Sequence, residues 1–251
     1  MPALLCFMLL SYIFIPSESH FNLRLLRILR IPKGMKPKYH NPKYKTHLIE
    51  IPFRMLIVGP SGSGKTNALL QILHVMSGTF NNIILCTKNS DEPLYNYLKE
   101  NVPSDCLSIH ENGEIPNIDE LEKSENVIDQ QTLIVFDDLV LKKDQKAIEE
   151  YFIRARKLGR GMSCVYLSQS YFKTPKTIRL QCGYIIMKKM RAKKDLSLIL
   201  SETSLAVDKS LLERMYKDAT DGDISNFFMI DINSEANKFR KGIAPYVSNL
   251  F

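Results

Sequence analysis

The sequence has no C-x-x-C pair: Cys6, Cys86, Cys106, Cys164 and Cys182 stand singly, most of them inside apolar runs. No histidines at metal-ligand spacing accompany them. A zinc module and a disulfide framework are therefore excluded, and reduced core thiols in an intracellular protein are expected. Also missing is the run of about 20 apolar residues that a membrane-crossing helix needs, so stable membrane insertion is not expected. The apolar start, Ala3 to Ile15, is too short for a crossing and lacks the positive leading segment of a signal peptide. A buried strand or an over-extended gene start suits it better than a lipid-touching or partner-binding leader, and no function is assigned to it. Acid is absent from Phe21 to Ile49, where Arg24, Arg27, Arg30, Lys33, Lys36, Lys38, Lys43 and Lys45 cluster. The whole chain carries +7, so without these eight positives the remainder is close to −1. The basic character is that of an arm and not of a globule. No internal repeat, low-complexity tract or appended nuclease-like segment is visible.

What is present has ordinary globular composition, and 251 residues suffice for one sizeable core. The expected organisation is an N-terminal extension over 1–45, an apolar leader plus the basic arm, followed by one domain over 46–251. Apolar runs at Arg54 to Val58, Asn82 to Cys86, Leu133 to Phe136, Ser163 to Leu167, Tyr184 to Met187 and Phe227 to Ile230 read as strands, with an edge strand at Cys106 to Ile109. Helical spacing appears over Thr66 to Met76, around Tyr95 to Lys99, over Gln145 to Leu158, and near Lys193 to Leu200 and Asp208 to Tyr216. Glu111 to Gln130 reads mostly as loop. Such alternation predicts an α/β fold, a mostly parallel sheet with helices on both faces.

Gly59-Pro60-Ser61-Gly62-Ser63-Gly64-Lys65-Thr66 is a full G-x-x-x-x-G-K-T between a strand and a helix. Glycines let backbone N–H groups curl around phosphate oxygens, and the helix beginning near Lys65 aims its positive end at the same anion. Lys65 is expected to neutralise the β- and γ-phosphates, and the Thr66 hydroxyl to ligate Mg²⁺; ATP with Mg²⁺ is the expected ligand.

The apolar strand Thr132 to Phe136 delivers Asp137 and Asp138 at its C-terminal end, where open α/β sheets place ligands. Asp137 is expected to hold Mg²⁺ through water, and Asp138 to orient or deprotonate the attacking water. A strand at Asn82 to Cys86 lies between the P-loop strand and the acid strand, which suits the class that inserts strands between these motifs. Thr87-Lys88-Asn89-Ser90 lacks the Asp of a guanine-specificity motif, and Leu139 and Val140 rule out an Asp-x-x-Gly switch. A switch GTPase is therefore disfavoured. A further apolar strand ends in Ser168-Gln169-Ser170, where the Gln169 amide could sense the γ-phosphate.

The P-loop, Phe136-Asp137-Asp138, Gly159-Arg160-Gly161 and Leu167-Ser168-Gln169-Ser170, in this order and spacing, resemble the FtsK–HerA superfamily of DNA-pumping ATPases. More narrowly they resemble the genome-packaging ATPases of poxviruses and other large DNA viruses, virophages and Polinton elements. The likeness runs from about Ile51 to Phe251. It implies a RecA-like (ASCE) P-loop core, a ring of subunits around double-stranded DNA, ATP hydrolysis coupled to translocation into a capsid, a capsid or portal partner, and action at the virion assembly site in host cytoplasm or nucleus. Carried over by position, Lys65 and Thr66 match the Walker A pair, Asp137 the Walker B acid, Gln169 the strand-end sensor and Arg160 the arginine finger. Where many relatives show Arg-His, this chain has Arg160-Gly161.

An arginine from a neighbouring subunit can neutralise charge on the transferring phosphoryl group. Arg160 could equally be a helix-end arginine; Arg154 stands four residues after Glu150, in pairing position, and Arg156 is the alternative finger. Two basic clusters could meet DNA without sequence preference: Lys188, Lys189, Arg191, Lys193 and Lys194, and the arm with Tyr39 and Tyr44 interleaved. Either could instead be a solvated face. A non-hydrolysing, nucleotide-gated scaffold and a host-type DNA pump or helicase are the alternatives; Asp138, Gln169 and Arg160 favour hydrolysis over the first.

Overall fold

Why the chain folds as it does is visible in its strands, which are apolar on both faces, as a parallel sheet covered on two sides requires. A computed structural model of the chain describes residues 39–245, apart from 125–129, 141, 143, 191–192 and 204–206. The apolar start, the arm before Tyr39, Cys6 and Arg191 lie outside the described residues, as does the Lys193 side chain.

Among the described residues, nine strands form one sheet: β1 (Arg54–Val58), β2 (Asn82–Thr87), β3 (Leu107–His110), β4 (Thr132–Asp137), β5 (Ser163–Ser168), β6 (Tyr184–Met187), β7 (Phe228–Asp231), β8 (Phe239–Lys241) and β9 (Ala244–Pro245). Their order is β3-β2-β4-β5-β1-β6-β7-β8-β9. The first six in that order run parallel, and β7 to β9 add antiparallel to the β6 edge. The mostly parallel sheet with helices on both faces is therefore as expected. One detail differs. The strand that separates the P-loop strand from the acid strand is β5, not β2, which flanks β4 on its outer side. Sequence order alone could not show this, because β5 comes last of the three in the chain.

Alternate residues of the central strands feed two cores. Met55 and Ile57 of β1 join Val135 of β4 and Val165 of β5 on one face, under α2 (Lys65–Val75) and α3 (Pro93–Asn101). Leu56, Val58, Ile134, Phe136, Cys164 and Tyr166 point to the other. There they meet α5 (Lys146–Arg154), α7 (Lys193–Glu202) and α8 (Lys209–Thr220). Cys86, Cys164 and Cys182 are buried and Cys106 is half-buried, none of them in a disulfide.

Three short helices were not expected: α1 (Tyr44–His47), α4 (Ile118–Lys123) and α6 (Lys176–Gln181). The second lies inside the stretch read as loop. Its start is fixed by Asn117, whose side chain accepts from the amides of Asp119 and Glu120, while Ile118 is buried. Helix α5 ends at Arg154 and tightens into a 3₁₀ turn over Ala155–Lys157, short of the expected Leu158.

Candidate nucleotide-binding site

The strands β1, β4 and β5 end side by side, and each turns into a loop carrying one part of the site. Gly59 N donates to Ser168 O at 3.1 Å, which ties the first P-loop residue to the end of β5. Gly62 and Gly64 have φ of +72° and +81°, the left-handed region that L side chains rarely adopt. Gly64 is the N-cap of α2, and no side chain caps that helix. Its first amides are therefore open to an anion in line with the helix dipole. A side chain at Gly64 would also meet Ile224 O at 2.7 Å, and one at Gly59 would meet the Lys188 Cβ at 2.6 Å. Close packing thus demands glycine at both positions, independently of any phosphate.

A cleft of about 320 Å³ is lined by Ser61, Gly62, Gly64, Lys65, Thr66, Glu92, Asp137, Asp138, Gln169 and Ile224. The Lys65 ammonium donates to Pro60 O at 3.1 Å, within its own loop. Burial pushes its pKa down, while Asp137, Asp138 and Glu92 pull it back up. Asp137 is only 5% exposed, and burial pushes its carboxyl above the usual range against the pull of the Tyr95 hydroxyl and Lys65. Tyr95, fully buried on α3, donates to Asp137 Oδ2 and also has a hydrogen bond with the Thr66 side chain. Asp138 has φ +54°, a left-handed conformation that costs roughly 1 kcal/mol in an L-residue. It accepts from Gln169 Nε2 at 2.8 Å.

Three carboxylates thus face one ammonium, and that surplus of negative charge suits a divalent cation. The donors also fit Mg²⁺, a hard ion that takes oxygen. No group of three or more His, Cys, Asp or Glu able to hold a metal occurs among the described residues. Thr66 and Asp137 are the residues of this lining that would hold such an ion together with a ligand's phosphates, and no all-protein cage occurs among the described residues. Ser63 Oγ, buried and without a hydrogen-bond partner, adds an unused polar atom within the phosphate cradle.

A model of the poxvirus A32 protein family matches residues 42–226. The chain belongs to that family. Among curated protein sequences, none matches it. In fold it is similar to the genome packaging NTPase B204 from Sulfolobus turreted icosahedral virus 2 in complex with ATP-gammaS, at 16% identity and TM-score 0.52 over 79% of this chain and 100% of that one. B204, the DNA-packaging ATPase from Sulfolobus turreted icosahedral virus, is similar at 15% identity and TM-score 0.52, again over 79% of this chain and 100% of that one. EssC from Geobacillus thermodenitrificans has 12% identity and TM-score 0.47 over 63% of this chain; the chain spans 36% of that protein. The resemblance to packaging ATPases read from the motifs thus holds for the family, and the RecA-like core for the fold.

In this A32-family chain the basic residues do not all stand where a DNA surface needs them. Lys188 is 1% exposed, and its ammonium donates to Ile224 O and Asn226 O, each at 2.6 Å. Burial lowers its pKa to about 8. Lys188 is a clamp that holds the Asp221 to Asn226 loop against the P-loop, so its reading as a DNA contact is corrected. Lys189 is exposed but pairs with Asp221 at 2.7 Å, and Lys194 is exposed as well. Arg154 is engaged by Glu150, Asp119 and Glu122. Arg160 precedes β5 at the end of the sheet where β1 begins, since Gly161 packs on Pro52 and Cys164 pairs with Arg54. It therefore stands a strand length, about 17 Å, from the cleft of its own subunit. Sequence reasoning missed Tyr95, Glu92, Ile224 and the true role of Lys188, all of which reach the site from connecting segments without a motif.

Proposed function

We propose that this chain, a genome-packaging ATPase by family, hydrolyses Mg-ATP in the Lys65 cleft and uses the energy to drive double-stranded DNA into a capsid. The observation that carries the reading is the convergence of Lys65, Thr66, Asp137, Asp138 and Gln169 on one cleft from three adjacent strand ends. In it the amides of Gly59 to Lys65 wrap the phosphates, Thr66 and Asp137 hold Mg²⁺, and Asp138 receives the proton of the attacking water. Gln169, bonded to Asp138 across the cleft, orients that carboxylate and registers the γ-phosphate. Domain 46–251 does this work, with a capsid or portal component as partner at the virion assembly site, a reading that the family match supports.

Subunits act as a ring, with Arg160 supplied in trans. Its distance from the cleft of its own subunit supports this assignment. Mixing Arg160→Ala subunits with Lys65→Ala subunits tests the arrangement: rescued hydrolysis in mixed rings is expected, and a fully active Arg160→Ala homomer would contradict it. The DNA coupling itself is tested by hydrolysis measured with and without long duplex.

A further inference from the structure

With Lys188 buried and Lys189 paired with Asp221, a different surface stands out at the end of β5. Directly after Gln169 the chain forms a loop, Ser170 to Pro175, in which Tyr171 and Thr174 are buried while Phe172 is 54% exposed. The loop is tightly framed. Asp195 Oδ1 accepts from Ser170 Oγ at 3.1 Å and from Phe172 N at 3.0 Å. Arg179 donates to Tyr171 O at 3.1 Å and lies over the Tyr171 ring. Thr174 Oγ1 reaches Ser168 Oγ at 2.8 Å and Ser170 O at 2.9 Å. Phe172 is therefore held out of the core by a built scaffold. Its ring carries the Lys194 ammonium 3.9 Å from the centroid, and Lys173 and Lys176 are exposed on the same segment.

Charge on this surface is of one sign. No acid occurs from Gln169 to Leu180. The two acids of α7 are turned inward: Asp195, 8% exposed, serves the loop, and Glu202 pairs with Arg179 at 3.0 Å. Three exposed lysines on the same segment and helix as an exposed phenyl ring, with both acids of these two stretches turned inward, complement a polyanion that also offers apolar sugar faces. The surface is also wired to the nucleotide site, because Phe172 is three residues from Gln169, which holds Asp138.

We infer that Phe172, Lys173, Lys176 and Lys194 form the grip on duplex DNA, with the lysines on backbone phosphates and Phe172 against the deoxyribose edge, so that occupancy of the grip is felt at Asp138 through Gln169. This rests on the proposed DNA-pumping function. Each lysine that neutralises a phosphate adds about 0.9 to the slope of log affinity against log salt.

The test is a salt titration of binding to a long fluorescent duplex, with basal and DNA-stimulated ATP hydrolysis measured on the same full-length preparations. A combined Lys173→Ala, Lys176→Ala, Lys194→Ala variant should lose about 2 to 3 from the slope and lose DNA stimulation while keeping basal hydrolysis. Phe172→Ala should weaken binding at unchanged slope, because the ring carries no charge. Should the triple variant not fold, Lys173→Ala alone must lower the slope by about 0.9. Unchanged slope and unchanged stimulation in these variants would overturn the grip while leaving the DNA reading intact. A wild-type protein that does not bind duplex would overturn both.

Discussion

Tyr95 reaches Asp137 from a helix that carries no motif, and its hydroxyl bonds both Asp137 and Thr66. It orients the two groups assigned to Mg²⁺ and stabilises a carboxylate that is only 5% exposed. Tyr95→Phe removes that donor without changing the ring, leaving a buried acceptor short of a partner at a cost of about 1–3 kcal/mol. The sign at Asp137 is fixed: the hydroxyl pulls its pKa down, so its loss raises it further. We expect kcat to fall about tenfold, the acid limb of the rate profile to move to higher pH, and more Mg²⁺ to be needed for half-maximal rate. An unchanged pH profile and Mg²⁺ requirement would reject this role. At this scale the sequence was legible where chemistry is contiguous. Gly59 to Thr66 is one unbroken word, and Asp137, Asp138 and Gln169 end apolar runs. Tyr95, Glu92 and Lys188 were not legible, because a side chain reaching across from a connector leaves no local pattern, and Lys188 had the look of a surface cation.

Among the elements, the long ones could be read and the short ones could not. Strands β1, β2, β4 and β5 are rich in Ile, Leu and Val and bounded by turn residues, and α2 and α8 carry their apolar spacing over 11 and 12 residues. Helices α1, α4 and α6, of 4, 6 and 6 residues, are too short to show periodicity. They exist through caps and tertiary contacts. Helix α1 is the clearest case. Fully buried His47 accepts from Ile49 N at its Nδ1, 2.9 Å away, and its carbonyl accepts from Arg240 of β8 at 2.7 Å. Arg240 in turn forms a buried pair with Asp231 of β7 at 2.6 Å. Burial above all, then Arg240 and Lys43, lowers the His47 pKa from 6.5 to about 4. Its folded pKa is depressed, so the unfolded chain binds the extra proton first, and stability falls as pH drops from about 6.5 towards 4. The ceiling is about 3 kcal/mol, at about 1.4 kcal/mol per pKa unit. Chemical denaturation across this window should show the loss in the wild type and a flatter dependence in His47→Gln; equal slopes would remove His47 from the account.

At the scale of the molecule, the sheet sorts functions by its two ends. The cleft and the Phe172 loop share the end where β1, β4 and β5 finish, whereas Arg160 stands at the end where β1 and β5 begin. On the proposed reading, hydrolysis and DNA grip are neighbours within one subunit, and Arg160 serves the next. The strand order behind this division was beyond the sequence: β5 pairs with β1, Arg54 opposite Cys164, although β2, β3 and β4 lie between them in the chain, and nothing local records it. The central claim is that the cleft hydrolyses ATP in response to duplex DNA. Steady-state hydrolysis by the purified chain, with and without long double-stranded DNA and beside Lys65→Ala, tests it most directly. The account predicts turnover that rises several-fold with duplex and disappears in Lys65→Ala, whereas tight ATP binding without turnover, indifferent to DNA, would contradict it.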